Sequence, residues 1–185
     1  YYTLSYNYFT DCHKTNLIGS SDSSLTYNVT MHHNWWNNCG SRQPLARRAN
    51  IHYYNNYISG DMSQDPKPAL SYIISARANC FIFAENNYFE GSKSVVEVAS
   101  GGVVKSFGNT YYACFNGDAS VQAQTRTSPV SNSCQFIYRK IDYSRFDTNT
   151  EQFYYNPETK QSDCLLDDSL TARVKVMQYA GVNGF

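Results

Sequence analysis

The chain has 185 residues, with 15 basic and 15 acidic side chains and a formal net charge of zero. That length defaults to a single domain, residues 1–185, and the charge balance argues against a nucleic-acid binder. No apolar run approaches the roughly 18 residues of a membrane helix, so no membrane partner is expected, and the chain reads as a monomer.

Taken in order, the first predicted strand is Tyr2-Thr3-Leu4-Ser5, which runs into Tyr6-Asn7-Tyr8-Phe9. The pattern returns four times. Strand-like Asn28-Val29-Thr30-Met31 precedes His33-Asn34-Trp35-Trp36, and Asn50-Ile51-His52-Tyr53 precedes Asn55-Asn56-Tyr57-Ile58. Cys80-Phe81-Ile82-Phe83 precedes Asn86-Asn87-Tyr88-Phe89, and Val103-Val104-Lys105-Ser106-Phe107 precedes Gly108-Asn109-Thr110-Tyr111. These stretches have the β-branched and aromatic enrichment of strands. Self-similarity at a spacing of roughly 20–50 residues signals a solenoid. The units are too short for helix pairs and are rich in Tyr, Asn, Ser and Thr. An all-β, right-handed parallel β-helix is therefore expected, with Asn7, Asn34, Asn56, Asn87 and Asn109 at one corner of successive coils. Asparagines stacked about 4.8 Å apart can bond to the coils above and below, and asparagine tolerates the left-handed backbone of a tight turn.

Six cysteines fit a secreted protein better than a cytosolic one. Their spacing shows no zinc pattern. Cys12 and Cys39 each lie five residues past a repeat asparagine, so the shared register predicts a disulfide between them. Lys14 is seven residues past Asn7 and Arg42 eight past Asn34, which puts a lysine and an arginine on the same turn of neighbouring coils. Arg47 follows, in Arg42-Gln43-Pro44-Leu45-Ala46-Arg47. The proline restricts how the two guanidinium groups move, and planar guanidinium forks suit carboxylates. Three cations on one patch of a neutral protein imply an anionic partner. Past Asn109 the repeat fades, and residues 113–185 are read as later coils, loops and a terminal segment. Leu170, Val174, Met177 and Ala180 have helical spacing, with Asp167 or Asp168 as cap and Gly181 as stop.

Several runs together resemble the pectate lyases of the right-handed β-helix family. They are Tyr6 to Asp22, Val29-Thr30-Met31-His32-His33-Asn34-Trp35-Trp36, the Arg42 to Arg47 motif, His52-Tyr53-Tyr54-Asn55-Asn56-Tyr57, Ile74-Ser75-Ala76-Arg77, Glu85-Asn86-Asn87-Tyr88-Phe89-Glu90, and Lys175-Val176-Met177-Gln178-Tyr179-Ala180-Gly181. The resemblance covers most of residues 1–112 and about the last ten. It implies a secreted enzyme that cleaves polygalacturonate by β-elimination, leaving a 4,5-unsaturated product. It assigns the proton-abstracting role to Arg42 and the holding of substrate carboxylates to Lys14 and Arg47. Arginine is almost wholly protonated at ordinary pH, so such a base depends on neighbouring cations and favours alkaline conditions. By ordinary pKa alone, His13, His32, His33 and His52 rival it. Three of these fall on predicted strands in packing roles, which leaves His13, beside Lys14, as the second candidate.

The family binds Ca²⁺ through several acidic residues on coils that precede the lysine coil. Asp11, Asp22 and Asp61 are single carboxylates on turns, and Ca²⁺ needs six to eight oxygens. The expectation is that the calcium ligands lie upstream of Tyr1, in a longer catalytic domain, and that this chain alone is weakly active or inactive. Two other readings are a pectin lyase acting on methyl-esterified substrate and a non-catalytic, polysaccharide-binding β-helix. The cations argue against the first, since a neutral ester needs none, and the complete trio argues against the second.

Overall fold

The computed structural model describes residues 2–25, 27–60, 72–114, 146–147, 152–153 and 166–181. The first coil holds β1 (Tyr2–Ser5), β2 (Tyr8–Thr10) and β3 (Leu17–Ile18). The second holds β4 (Tyr27–His32), β5 (Trp35–Asn37) and β6 (Leu45–Arg47), and the third β7 (Ala49–Tyr54), β8 (Tyr57–Ser59) and β9 (Ile74–Arg77). The fourth holds β10 (Phe81–Glu85), β11 (Tyr88–Glu90) and β12 (Val96–Val98), and β13 (Val103–Phe107) and β14 (Thr110–Tyr112) open a fifth. Like strands stack into three parallel sheets, β1-β4-β7-β10-β13, β2-β5-β8-β11-β14 and β3-β6-β9-β12. This is the right-handed parallel β-helix, with the handedness that parallel connections adopt. A two-residue antiparallel pair, β15 (Phe146–Asp147) with β16 (Gln152–Phe153), belongs to none of these sheets.

The five asparagines form one continuous ladder. Asn34 is typical. Its Oδ1 accepts from the backbone N of Asn7 at 3.1 Å and from Asn7 Nδ2 at 2.9 Å. Its Nδ2 donates to the Leu4 carbonyl at 2.8 Å and to Asn56 Oδ1 at 3.0 Å. The same pattern links Asn56 to Asn87 and Asn87 to Asn109. The left-handed residue, however, is the one before each ladder asparagine. Tyr6, His33, Asn55, Asn86 and Gly108 have φ of 56°, 53°, 51°, 51° and 62°. Each ladder amide satisfies the backbone groups that such a sharp bend would otherwise leave unpaired.

Strand alternation turns one residue in two inward. Val29, Ile51, Ile82 and Val104 stack from coil to coil, as do Met31, Tyr53 and Ala84 beside them. Under the second sheet Phe9 stacks on Trp36 at 5.4 Å and Phe89 on Tyr111 at 5.4 Å. Coil spacing thus fixes ring spacing, and parallel rings in register use the geometry that aromatic pairs favour.

Helix α1 (Ser169–Tyr179) is capped by Asp168, whose side chain accepts from the backbone N of Leu170 and of Thr171 at 3.0 Å each. Its buried face shares only Ala180 with the expected stripe. Leu170, Val174 and Met177 are exposed, while Ala172 and Val176, with Ala180 just beyond the helix, are fully buried. Val176 and Ala180 pack on Tyr57 and Tyr88 of the second sheet, and the Arg173 guanidinium lies 5.1 Å over the Tyr57 ring. Small side chains let the helix approach a tyrosine surface that larger ones would hold away. The lead-in residue Asp167 is gripped by the left-handed corner. Its carbonyl accepts from Asn55 Nδ2 and Asn86 Nδ2, and its carboxylate bonds His33 Nε2 at 3.1 Å.

The predicted disulfide is corrected. Cys12 and Cys39 are free thiols. Each donates to the carbonyl two residues back, Cys12 to Thr10 at 3.3 Å and Cys39 to Asn37 at 3.6 Å. The register argument did place them as neighbours, and burial together with the nearby Cys12 thiol raises the Cys39 pKa. Cys134 and Cys164 lie outside the described residues.

Candidate active site

Lys14 and Arg42 lie between the second sheet and the third, and Arg47 lies on the third. Lys14 is exposed and bridges in parallel to Ser41. One residue on, the pairing is held by Asn16 N donating to the Arg42 carbonyl at 2.8 Å and Leu45 N donating to the Asn16 carbonyl at 3.1 Å. Lys14 and Arg42 are therefore offset by one position on adjacent coils. Asn16 is itself fixed from below, since its Oδ1 accepts from Trp36 Nε1 in the core at 2.8 Å.

Arg42 is half-buried and left-handed, at φ 64°. Unlike Tyr6, His33, Asn55 and Asn86, it belongs to no repeating corner, so its strain is particular to this coil. A non-glycine residue in this region costs roughly 1–2 kcal/mol and persists where the surroundings fix it. Here the Arg42 N donates to the Tyr72 carbonyl at 3.3 Å, and buried Gln43 donates from its backbone to Ile73 at 2.7 Å and from its side chain to Cys39. The Gln43–Pro44 bond is cis. Arg42 Nε reaches the Tyr72 hydroxyl at 3.4 Å, leaving its other N–H groups uncommitted among the described residues.

Arg47 stands at the far end of β6, at most ~17 Å along the chain from Arg42 by extended-chain length. Ala46 points into the core and Arg47 outward, opposite Arg77 on the next coil. Arg47 Nε bonds Asp22 Oδ1 at 3.0 Å. Arg77 is closed off by Glu97, with Nη2 to Oε1 at 2.6 Å, and by Ser75 Oγ at 3.1 Å. The structure thus sets the backbones of Lys14 and Arg42 one position apart on adjacent coils and puts Arg47 at the end of β6, tied to a carboxylate.

Among the histidines, only His13 lies on the cation side, exposed and next to Lys14. His52 is buried against Glu85 at 2.7 Å, and His33 sits at the corner, not on a strand. His32 stacks on Tyr54 at 5.0 Å, and burial, helped by the charges of His33 and His52, lowers its pKa to about 4. Tyr72 and Arg77 were not singled out as site residues. The signal for Arg77 was its place in register with Arg47, whereas nothing local marks Tyr72. No group of three or more His, Cys, Asp or Glu among the described residues could hold a metal ion. Asp61 lies outside the described residues.

A family model described as pectate lyase matches residues 1–174. A Bacillus subtilis pectate lyase is 36% identical over 110 residues, covering 55% of this chain and 26% of that protein. A Bacillus licheniformis pectate trisaccharide-lyase is 40% identical over 98 residues, 52% of this chain and 26% of that protein. The chain thus spans about a quarter of the length of these relatives. In structure, a pectate lyase from Bacillus sp. N165 in complex with trigalacturonate aligns over 97% of this chain and 48% of its own, at a TM-score of 0.62 and 24% identity. A thermostable pectate lyase aligns over 99% and 42%, at 0.64 and 22%.

Proposed function

Because this chain belongs to the pectate lyase family, we propose that the whole protein cleaves de-esterified polygalacturonate by β-elimination, with Arg42 as base and Lys14 and Arg47 as carboxylate holders. The observation that carries the assignment is the one-residue offset of Lys14 and Arg42 on adjacent coils, with Arg42 held in a strained backbone outside the repeat. Arg42 takes the C5 proton, the C5 electron pair forms the C4=C5 bond, and the C4–O bond breaks. The departing sugar oxygen keeps the electron pair of the broken C4–O bond and is protonated by solvent. As the C5 proton leaves, negative charge grows on the adjoining carboxylate. Fixed cations stabilise that charge more than they stabilise the ground state. They also hold the ring for the elimination.

The same proposal covers calcium dependence and secretion. The described residues do not fit a calcium site, so the ligands would belong to other parts of the domain, and no step above is routed through the metal. A pectin lyase remains the second reading, and Lys14 and Arg47 favour the anionic substrate over the ester. In the complete protein, Arg42→Lys should cut turnover on polygalacturonate by ~10²–10⁴-fold, read at the absorbance of the unsaturated product. Near-normal turnover in that variant would overturn the assignment. Comparing esterified with de-esterified polymer, with and without chelator, separates the two lyase readings.

A further inference from the structure

We infer that Asp22 is a positioning residue for Arg47, holding the guanidinium by Nε so that its two Nη groups form the fork that takes a substrate carboxylate. This rests on the reading of Arg47 as a carboxylate holder and adds the group that aims it. A guanidinium has one Nε–H and four Nη–H donors in a plane. Asp22 Oδ1 takes the first at 3.0 Å. Among the described residues the Arg47 side chain makes no other hydrogen bond, which leaves its Nη groups without a partner there. The neighbouring Arg77 is the contrast, because Glu97 occupies its Nη2. Two arginines in register on adjacent coils are therefore held differently, Arg47 through Nε and Arg77 through both Nε and Nη2.

The turn that carries Asp22 is built for this place. The first coil takes 27 residues from ladder asparagine to ladder asparagine and the second takes 22. The additional residues fall between β3 and β4, where the turn forms. Gly19, at φ +77°, opens the turn, and a Cβ there would lie 2.5 Å from the Arg47 carbonyl oxygen. The turn is thus seated on the backbone of the residue that it holds. Its tip is fixed internally, with Ser24 N donating to the Ser21 carbonyl at 3.1 Å and Ser21 N donating to Ser24 Oγ at 3.0 Å. The Asp22 side chain is 72% exposed. An ion pair so open to water adds little to stability, so a role in holding the fold together is a poor explanation for it.

The test uses the complete protein, with KM and turnover on polygalacturonate and a thermal midpoint for each variant. Asp22→Ala should raise KM about tenfold, with a smaller change in turnover and an unchanged midpoint. Asp22→Asn keeps an acceptor oxygen and should recover part of the loss. Arg47→Ala should cost more, and Asp22→Ala combined with Arg47→Ala should be no worse than Arg47→Ala alone. An unchanged KM in Asp22→Ala beside an impaired Arg47→Ala overturns the positioning role and leaves the site reading intact. An unimpaired Arg47→Ala overturns both. Additive losses in the double variant, or a lowered midpoint in Asp22→Ala, also overturn the positioning role.

Discussion

Asn56 is the middle rung of the ladder, and replacing it with alanine tests whether the corner is a working part of the fold. Its Oδ1 accepts from the Asn34 backbone N at 3.0 Å and from Asn34 Nδ2 at 3.0 Å. Its Nδ2 donates to the Met31 carbonyl at 2.9 Å and to Asn87 Oδ1 at 3.1 Å. After Asn56→Ala, Asn34 Nδ2 keeps its bond to Leu4, and Asn87 Oδ1 still accepts from the Asn56 backbone N. The Asn34 N–H and the Met31 carbonyl each lose the partner that the rung supplied. Asn56 is fully buried, so water cannot readily replace it. A buried polar group left unmatched costs about 1–3 kcal/mol, which puts the variant about 2–6 kcal/mol down. Asn7 is the control. It is half-buried at the end of the ladder and among the described residues its side chain donates only to Ser5 and Asn34, so Asn7→Ala should cost about 1 kcal/mol. Urea unfolding of the complete protein, read by circular dichroism, compares the two. Equal losses in both variants, or a loss below about 1 kcal/mol at Asn56, would refute the ladder argument.

His32 predicts a pH dependence of stability. Its pKa is lowered from 6.5 to about 4 in the fold, so the unfolded chain binds the proton first. The stability difference is small above pH 6.5 and grows against the fold as pH falls toward 4, by about 2 kcal/mol after allowance for its partial exposure. Thermal midpoints should fall over that window and fall less in His32→Gln; equal slopes in the two proteins would contradict the assignment. On α1, Ala172→Asp puts a charge into a fully buried site and should lower the midpoint strongly, whereas Leu170→Asp, on the exposed face, should change it little. The opposite order would mean that the helix packs by its larger residues after all.

The ladder was legible because one side chain must recur wherever the same backbone groups need a partner. Asn7, Asn34, Asn56, Asn87 and Asn109 all stand where the spacing put them. Their left-handed neighbours were not legible, since they share no residue type and Tyr6 carries no preference that would mark it. The helix was found with its cap, but the wrong face was chosen. Hydrophobicity picked out Leu170, Val174 and Met177, which are exposed, while closeness to Tyr57 and Tyr88 selected Val176 and, of the expected stripe, Ala180 alone. The placing of Lys14 beside Arg42 came from register, which is reliable where sheets are parallel, and their roles came from the family resemblance. The Asp22 bond to Arg47 was out of reach, because Asp22 lies on an insertion and insertions have no register.

The uneven coil lengths bear on how such a chain can change. The ladder asparagines are spaced 27, 22, 31 and 22 residues apart, yet every rung closes with the same bonds. The surplus falls almost wholly in two places, between β3 and β4 and between β8 and β9. Each is a site where chain can be lengthened or shortened without moving a core residue. The first already carries Asp22 to Arg47, and the second leads into Tyr72, which meets Arg42. Mutation by insertion therefore reaches the surroundings of the cations while the scaffold stays constant, so selection can vary one without rebuilding the other.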